Sequence, residues 1–201
     1  MTATDESSRA RADKRLAILA AALDLFAKYG YRRTSIDDVA RAAGIAKGSV
    51  YLHFPGKREL FRAGCEAVLA DVLGKVEAVR KKPGPVRERV LALLEAKFAH
   101  LHDLVGSSPH APEILDTTTG LAADIVERAD KRFLDALAEV LADGDERGEL
   151  ALARLHLSPA QAAGVVFRCA EGTTQAPNMA AKTYRKRLQQ LVDVLLQGLG
   201  S

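Results

Sequence analysis

Long apolar runs are missing from this 201-residue chain. A membrane-spanning helix needs roughly 20 consecutive apolar residues, and the longest uncharged apolar stretch, 155–167, is interrupted by Ser158 and Pro159. Residues 1–15 are polar and charged without the apolar core of a signal peptide, so no export signal is expected. Cysteine is scarce: Cys65 and Cys169 form no Cys-x-x-Cys pair, which points to a reducing cytoplasm with both thiols packed as small apolar groups. The β-branched alternation that marks strands is almost absent, and so are internal repeats and low-complexity tracts. Neither sign of charge dominates: 29 Lys and Arg face 26 Asp and Glu, a net +3, far from a polycation. The chain also lacks a Gly-x-Ser-x-Gly elbow, a phosphate-binding glycine loop, His-Glu-x-x-His and zinc-type Cys/His spacing, so no enzyme is expected. A catalytic centre would have to be assembled from scattered groups such as His102, Glu113 and Glu171.

What is present is helix-forming material. Hydrophobic residues make up 48% of the chain and charged ones 27%, enough apolar surface for a core and too much for a disordered chain. Ala, Leu, Arg, Glu and Lys recur at helical spacing, so the expected fold class is all-α: an N-terminal three-helix domain followed by a larger helical domain. Leu16, Leu19, Leu23 and Phe26 step by three or four toward a stop at Gly30. A hydroxyl followed three residues later by a carboxylate, Thr34 to Asp37 or Ser35 to Asp38, opens a second helix that stops near Gly44. A short third helix over 47–53 must end before Pro55, and a longer one runs over 57–79. Lys81-Lys82-Pro83-Gly84-Pro85 is the clearest break. Beyond it the spacing predicts helices at 86–102, 112–117, 122–143, 158–172 and 181–197, with Ser158-Pro159-Ala160-Gln161 as a strong start signal.

The two short helices joined at Gly44 form a helix-turn-helix. Small Ala40 allows close packing, Gly44 accepts a left-handed backbone, and Val39, Ile45 and Val50 close a miniature core. Such a unit places its second helix in a major groove. Local charge agrees: over 28–62, eight basic residues oppose three acids. Lys47 and Tyr51, four apart, share one helix face, whereas Val50 and Phe54 share another that should be buried.

The runs Leu25-Phe26-Ala27-Lys28-Tyr29-Gly30-Tyr31, Thr34-Ser35-Ile36-Asp37-Asp38-Val39-Ala40 and Ala43-Gly44-Ile45-Ala46-Lys47-Gly48-Ser49-Val50-Tyr51-Leu52-His53-Phe54, followed by Lys57 and Leu60-Phe61, resemble the DNA-binding domain of the TetR family of bacterial transcriptional repressors. The resemblance covers about the first third of the chain. It implies that Thr34 or Ser35 offers donors to a phosphate, that Lys47, Gly48 and Ser49 open the recognition helix, that Tyr51 and His53 donate to phosphates, and that Lys57 clamps the backbone beyond. Ala46 departs from the family, which often has a hydroxyl there, and cannot cap the recognition helix. The implied organisation is a flexible basic arm over 1–15 carrying Arg9, Arg11, Lys14 and Arg15, the helix-turn-helix domain over 16–56, a connecting helix over 57–80, and an effector-binding and dimerisation domain over 81–201.

That last region is nearly neutral, with 15 basic and 16 acidic residues, which argues against a second nucleic-acid surface. In the family's scheme the last two long helices pair with their copies, and here Ala162, Val165, Val166, Cys169, Leu188, Leu191, Val192, Leu195 and Leu196 are the expected interface. A helical cavity combines apolar walls with a few polar anchors, and the candidates are Phe98, His102, His110, Phe133, Phe167 and Arg168. His100, His102, Asp103, His110, Glu113 and Asp116 invite a metal reading, but His100 and His102 are two apart and point to different sides of a helix, so no metal or other cofactor is expected. The expected partners are a palindromic double-stranded operator, a second copy of the chain and an unidentified small-molecule effector, with no membrane. The resulting expectation is a homodimeric repressor released from DNA by its effector. A regulator without an effector and an enzyme using the helix-turn-helix as scaffold are the alternatives.

Overall fold

The computed structural model describes residues 3–105, 110, 120–173 and 179–199. Among them there is no strand, and no helix is long and apolar enough to cross a membrane. The helix expected over 112–117, with Glu113 and Asp116, lies outside the described residues.

Two compact units divide the chain. The first comprises the described parts of residues 1–68 and 108–126. Its helix α1 spans Ala3–Arg33, so the segment expected as an arm is drawn into a helix. Ala, Arg, Lys and Glu are strong helix formers and nothing in 3–15 breaks the run. The buried stripe of α1 is Ile18, Leu19, Ala22 and Phe26. Leu16, expected on that stripe, is 62% exposed, a correction to the inward phase, which starts at Ile18. Gly30 adopts φ 81°, a left-handed conformation that interrupts α1 where the stop was expected.

Helix α2 covers Ile36–Ala42, and the choice between two cap residues falls to Ser35. Its hydroxyl accepts from the Asp38 amide at 3.1 Å, while the Ser35 amide donates to Asp38 Oδ2 at 3.0 Å. Gly44, at φ 68°, turns the chain into α3, Lys47–Tyr51. Ala46 gives α3 no side-chain cap, as its methyl requires. Helix α4 then runs Lys57–Arg80. Val39, Val50, Phe54, Leu60 and Phe61 are buried with the α1 stripe. Phe26, Tyr31 and Phe61 form a ring cluster with centroids 5.0–5.8 Å apart. Residues 120–126 return to this unit, where the Arg62 guanidinium grips both Asp124 oxygens at 2.7 and 2.8 Å and the Leu121 carbonyl at 2.7 Å. The division therefore falls inside α4 rather than at either of its ends.

The second unit comprises the described parts of residues 69–107 and 127–201. The helix expected over 86–102 is broken in register: α5 (Val86–Leu94) passes through a wide π turn (Glu95–Ala99) into α6 (His100–Val105). Helix α7 covers Ala123–Glu146, a short 3-10 turn Leu152–Leu155, α8 Pro159–Thr173 and α9 Ala181–Leu199. The start of α8 is the expected reciprocal cap: the Ser158 amide donates to Gln161 Oε1 at 2.8 Å and the Gln161 amide to Ser158 Oγ at 3.2 Å. Val72, Val76, Leu93, Leu94, Leu137 and Leu141 are among the residues of one continuous core. Helices α5 and α7 meet at Gly144, where a Cβ would fall 2.6 Å from Val86 Cγ2 and 2.8 Å from Val86 Cβ.

Candidate functional site

The helix-turn-helix presents one outward face. Val50 and Phe54 are buried, as their shared phase requires, and this turns Lys47, Gly48, Tyr51 and Leu52 toward solvent. A Cβ at Gly48 would meet no heavy atom within 4 Å, so packing within the chain does not account for glycine there. Leu52 is 75% exposed. The sequence reading singled out its neighbours and missed it, although its i,i+4 relation to Gly48 places it on the same side.

Several expected contacts are already engaged within the chain. Lys47 Nζ donates to Asp37 Oδ2 at 2.9 Å, and this hydrogen bond, with the carboxylate's charge, holds the ammonium pKa above its ordinary value. Lys57 Nζ donates to the Arg32 carbonyl at 3.2 Å and lies 4.4 Å from the centre of the Tyr31 ring. The Ser35 hydroxyl donates to Asp38 Oδ2 at 2.6 Å, and the Asp38 pKa is lowered chiefly by that bond. Thr34 is a correction: it is buried, and its hydroxyl donates to the Gly30 carbonyl at 2.9 Å and toward the Leu25 carbonyl at 3.3 Å. That hydroxyl pins the break after α1 and is not presented to a phosphate. Ser49 and His53 are half-buried. Ser49 steadies the uncapped start of α3 through its amide, which reaches the Ala46 carbonyl at 2.9 Å.

In the second unit, Phe98, Phe133 and Phe167 come together with ring centroids 5.7–6.0 Å apart. At their centre is a residue the sequence reading did not select. Lys97 is buried, its Nζ 5.3–5.6 Å from all three ring centres and 2.5 Å from Asp130 Oδ1. A lysine in a run such as Glu95-Ala96-Lys97-Phe98 reads as a solvated residue, although it follows Val86, Val90 and Leu93 at spacings of four, three and four and so lies on the buried side of the helix. His102 stacks on Tyr184 at 4.7 Å, and His102 Nδ1 and the Tyr184 hydroxyl are buried without a hydrogen-bond partner among the described residues. Burial pushes the Tyr184 phenol well above its ordinary range. Arg168 is a correction to the cavity lining: it is exposed and paired with Glu171. His110 is assigned to the first unit and the three phenylalanines to the second.

The expected interface residues separate into two groups. Ala162, Val166, Leu188 and Val192 are buried in the chain's own core, which corrects their assignment to a surface. Val165 is exposed, and Cys169, Leu191, Leu195 and Leu196 are half-buried along α8 and α9. Val194, missed in the sequence, is 69% exposed. Among the described residues no group of three or more His, Cys, Asp or Glu side chains is placed to hold a metal ion. His100 Nε2 instead lies 2.6 Å from Asp71 Oδ2 and 2.7 Å from Lys75 Nζ.

Residues 18–63 match the family model described as bacterial regulatory proteins, tetR family. The chain is 29% identical over 159 residues to the HTH-type transcriptional regulator RutR of Escherichia coli, covering 74% of this chain and 69% of the relative. It is 30% identical over 149 residues to the uncharacterized HTH-type transcriptional regulator YezE of Bacillus subtilis, covering 66% of this chain and 71% of the relative. Its fold resembles that of the transcriptional regulator FadR of Bacillus subtilis, solved in complex with stearoyl-CoA, with a TM-score of 0.66, 20% identity and coverage of 92% and 97% of the two chains. These relatives are transcriptional regulators rather than enzymes. With its helix-turn-helix face and its helical second unit, the chain belongs to the TetR family of DNA-binding bacterial transcriptional regulators.

Proposed function

We propose that the protein is a homodimeric repressor that leaves a palindromic operator when a small molecule binds the second unit. The observation that carries the DNA reading is the α3 face. Lys47, Gly48, Tyr51 and Leu52 point outward together, and the open space at Gly48 admits a surface from outside the chain. Lys47 and Ser49 select bases, and Lys47 exchanges Asp37 for a base or phosphate on docking. Leu52 supplies an apolar contact of the kind that reads a thymine methyl. Tyr51, His53 and Lys57 hold phosphates, and the excess of eight bases over three acids across 28–62 supplies the salt-dependent part of the affinity. Ser35 joins them only when its cap on Asp38 opens.

A single helix-turn-helix reads one half-site, and a second copy supplies the other about one helical turn away. Val165, Cys169, Leu191, Val194, Leu195 and Leu196 on α8 and α9, which pack against each other, are the apolar surface for that pairing. The effector reading draws on the buried polar groups of the second unit and on the stearoyl-CoA complex of the similarly folded regulator. Helix α7 contributes to both units: Asp124 in its first turn is held by Arg62 in the first, and Asp130 and Phe133 belong to the second.

The test is selection of bound duplexes from a random DNA pool with the purified protein, followed by binding at several salt concentrations. The expected outcome is a two-fold symmetric site whose affinity falls steeply with salt and is relieved by an effector. Binding without sequence preference would refute the reading, and sequence-specific binding that no small molecule relieves would favour a regulator without an effector.

A further inference from the structure

We propose that Lys97 is a carboxylate-recognition site: an apolar carboxylic acid enters the Phe98, Phe133 and Phe167 cluster and its carboxylate takes the place of Asp130 on the Lys97 ammonium. This rests on the effector reading above and names the chemistry of the ligand.

The two members of the pair are held differently. Lys97 has a side-chain exposure of 6% and sits against three aromatic rings, whose faces attract a cation whichever anion accompanies it. Asp130 is 25% exposed and is the partner with a way out to water. A buried ion pair is a poor source of net stability, because an apolar pair of similar volume commonly does as well. Exchanging one carboxylate for another keeps the buried cation neutralised and lets Asp130 regain its hydration. A ligand amine would have to compete with Lys97 for the three rings, and an uncharged ligand in place of Asp130 would leave the ammonium without an anion. The ligand body is apolar because the rings it would pack against are.

Two further features converge here. Lys97 is the middle residue of the π turn Glu95–Ala99, and such wide turns are rare and recur at functional sites. One turn beyond Phe98, the stacked His102 and Tyr184 carry two of the three buried side-chain polar atoms that lack partners among the described residues, the third being Arg89 Nε. An unpaired buried hydroxyl is costly to the free protein, and a second polar group on the ligand satisfies it.

The experiment is calorimetric titration of the full chain, without DNA, with octanoate, 1-octanol and octylamine. Octanoate is expected to bind at least tenfold more tightly than 1-octanol, and octylamine more weakly than either. The D130N variant should bind octanoate more tightly, because the competing carboxylate is gone. The double variant K97M/D130N removes both charges and leaves neither buried alone; with its helical circular dichroism intact, it should bind octanoate and 1-octanol alike. Absence of octanoate binding, an alcohol or amine that binds as well, or a preference for octanoate that survives in the double variant would overturn the proposal. Such a failure concerns the carboxylate site alone, since no operator is present. The release reading falls on a separate result, an operator complex that no compound class weakens.

Discussion

Replacing Gly48 by alanine separates what the folded chain requires from what DNA requires. Gly48 lies inside α3, is exposed, and has no heavy atom within 4 Å of where a Cβ would stand. In the free protein the added methyl meets nothing, while alanine favours the helix and narrows the unfolded ensemble, a gain of about 0.5–1 kcal/mol. For a chain of this size that raises the melting temperature by roughly 1–4 °C. Against DNA the same methyl projects from the face shared with Lys47, Tyr51 and Leu52 and holds the groove off. A loss of about tenfold or more, ~1.4 kcal/mol, is the expected effect on operator affinity. Circular-dichroism melts and fluorescence anisotropy with the selected duplex, at one fixed salt concentration, measure the two effects on the same preparation. Wild-type affinity in G48A would refute close approach of the groove at this residue. A fall in stability would refute the argument from open space.

The other glycines of the long helices give opposite signs for one substitution. G144A should destabilise by about 1–3 kcal/mol in urea unfolding, because Val86 Cβ is 2.8 Å from the new methyl and the Val86 amide is anchored to Glu149 Oε2 at 2.6 Å; G74A, exposed in α4 with open space, should stabilise by about 0.5–1 kcal/mol. T34V should cost about 1–2 kcal/mol of stability by removing the buried bond to the Gly30 carbonyl, and should leave operator affinity unchanged; a loss of affinity without a loss of stability would return Thr34 to the DNA contacts. Glu77 is held at about 2 against an ordinary 4.5 by hydrogen bonds from Arg80 and Lys81. Its contribution to stability is therefore full above pH 4.5 and is lost as the pH falls through about 2, and E77Q should flatten that part of the stability profile relative to wild type.

The sequence by itself determined the all-α class, the helix-turn-helix and its inward and outward residues, because these depend on contacts within a few positions. The 3.6-residue period, Gly30, Gly44, the Ser35 and Ser158 caps and Pro55 each act on their immediate neighbours. What lies far apart in the chain was settled only by the tertiary structure. Thr34 and Ser35 offered equivalent caps on paper, and the return of the chain to the Gly30 carbonyl buried one and left the other at the helix start. Whether Ala162, Val166, Leu188 and Val192 face the core or a partner is not contained in their spacing, since either destination needs the same apolar stripe. Lys97 was hidden for a different reason: it shares the phase of the buried Val86, Val90 and Leu93, but a cation on that face has no reason to be buried until distant helices bring Asp130, Phe133 and Phe167, the last 70 residues away, against it. Local rules fix which residues share a helix face, but whether a cation on an apolar face is buried is decided by the counter-charge and the rings that pack against it.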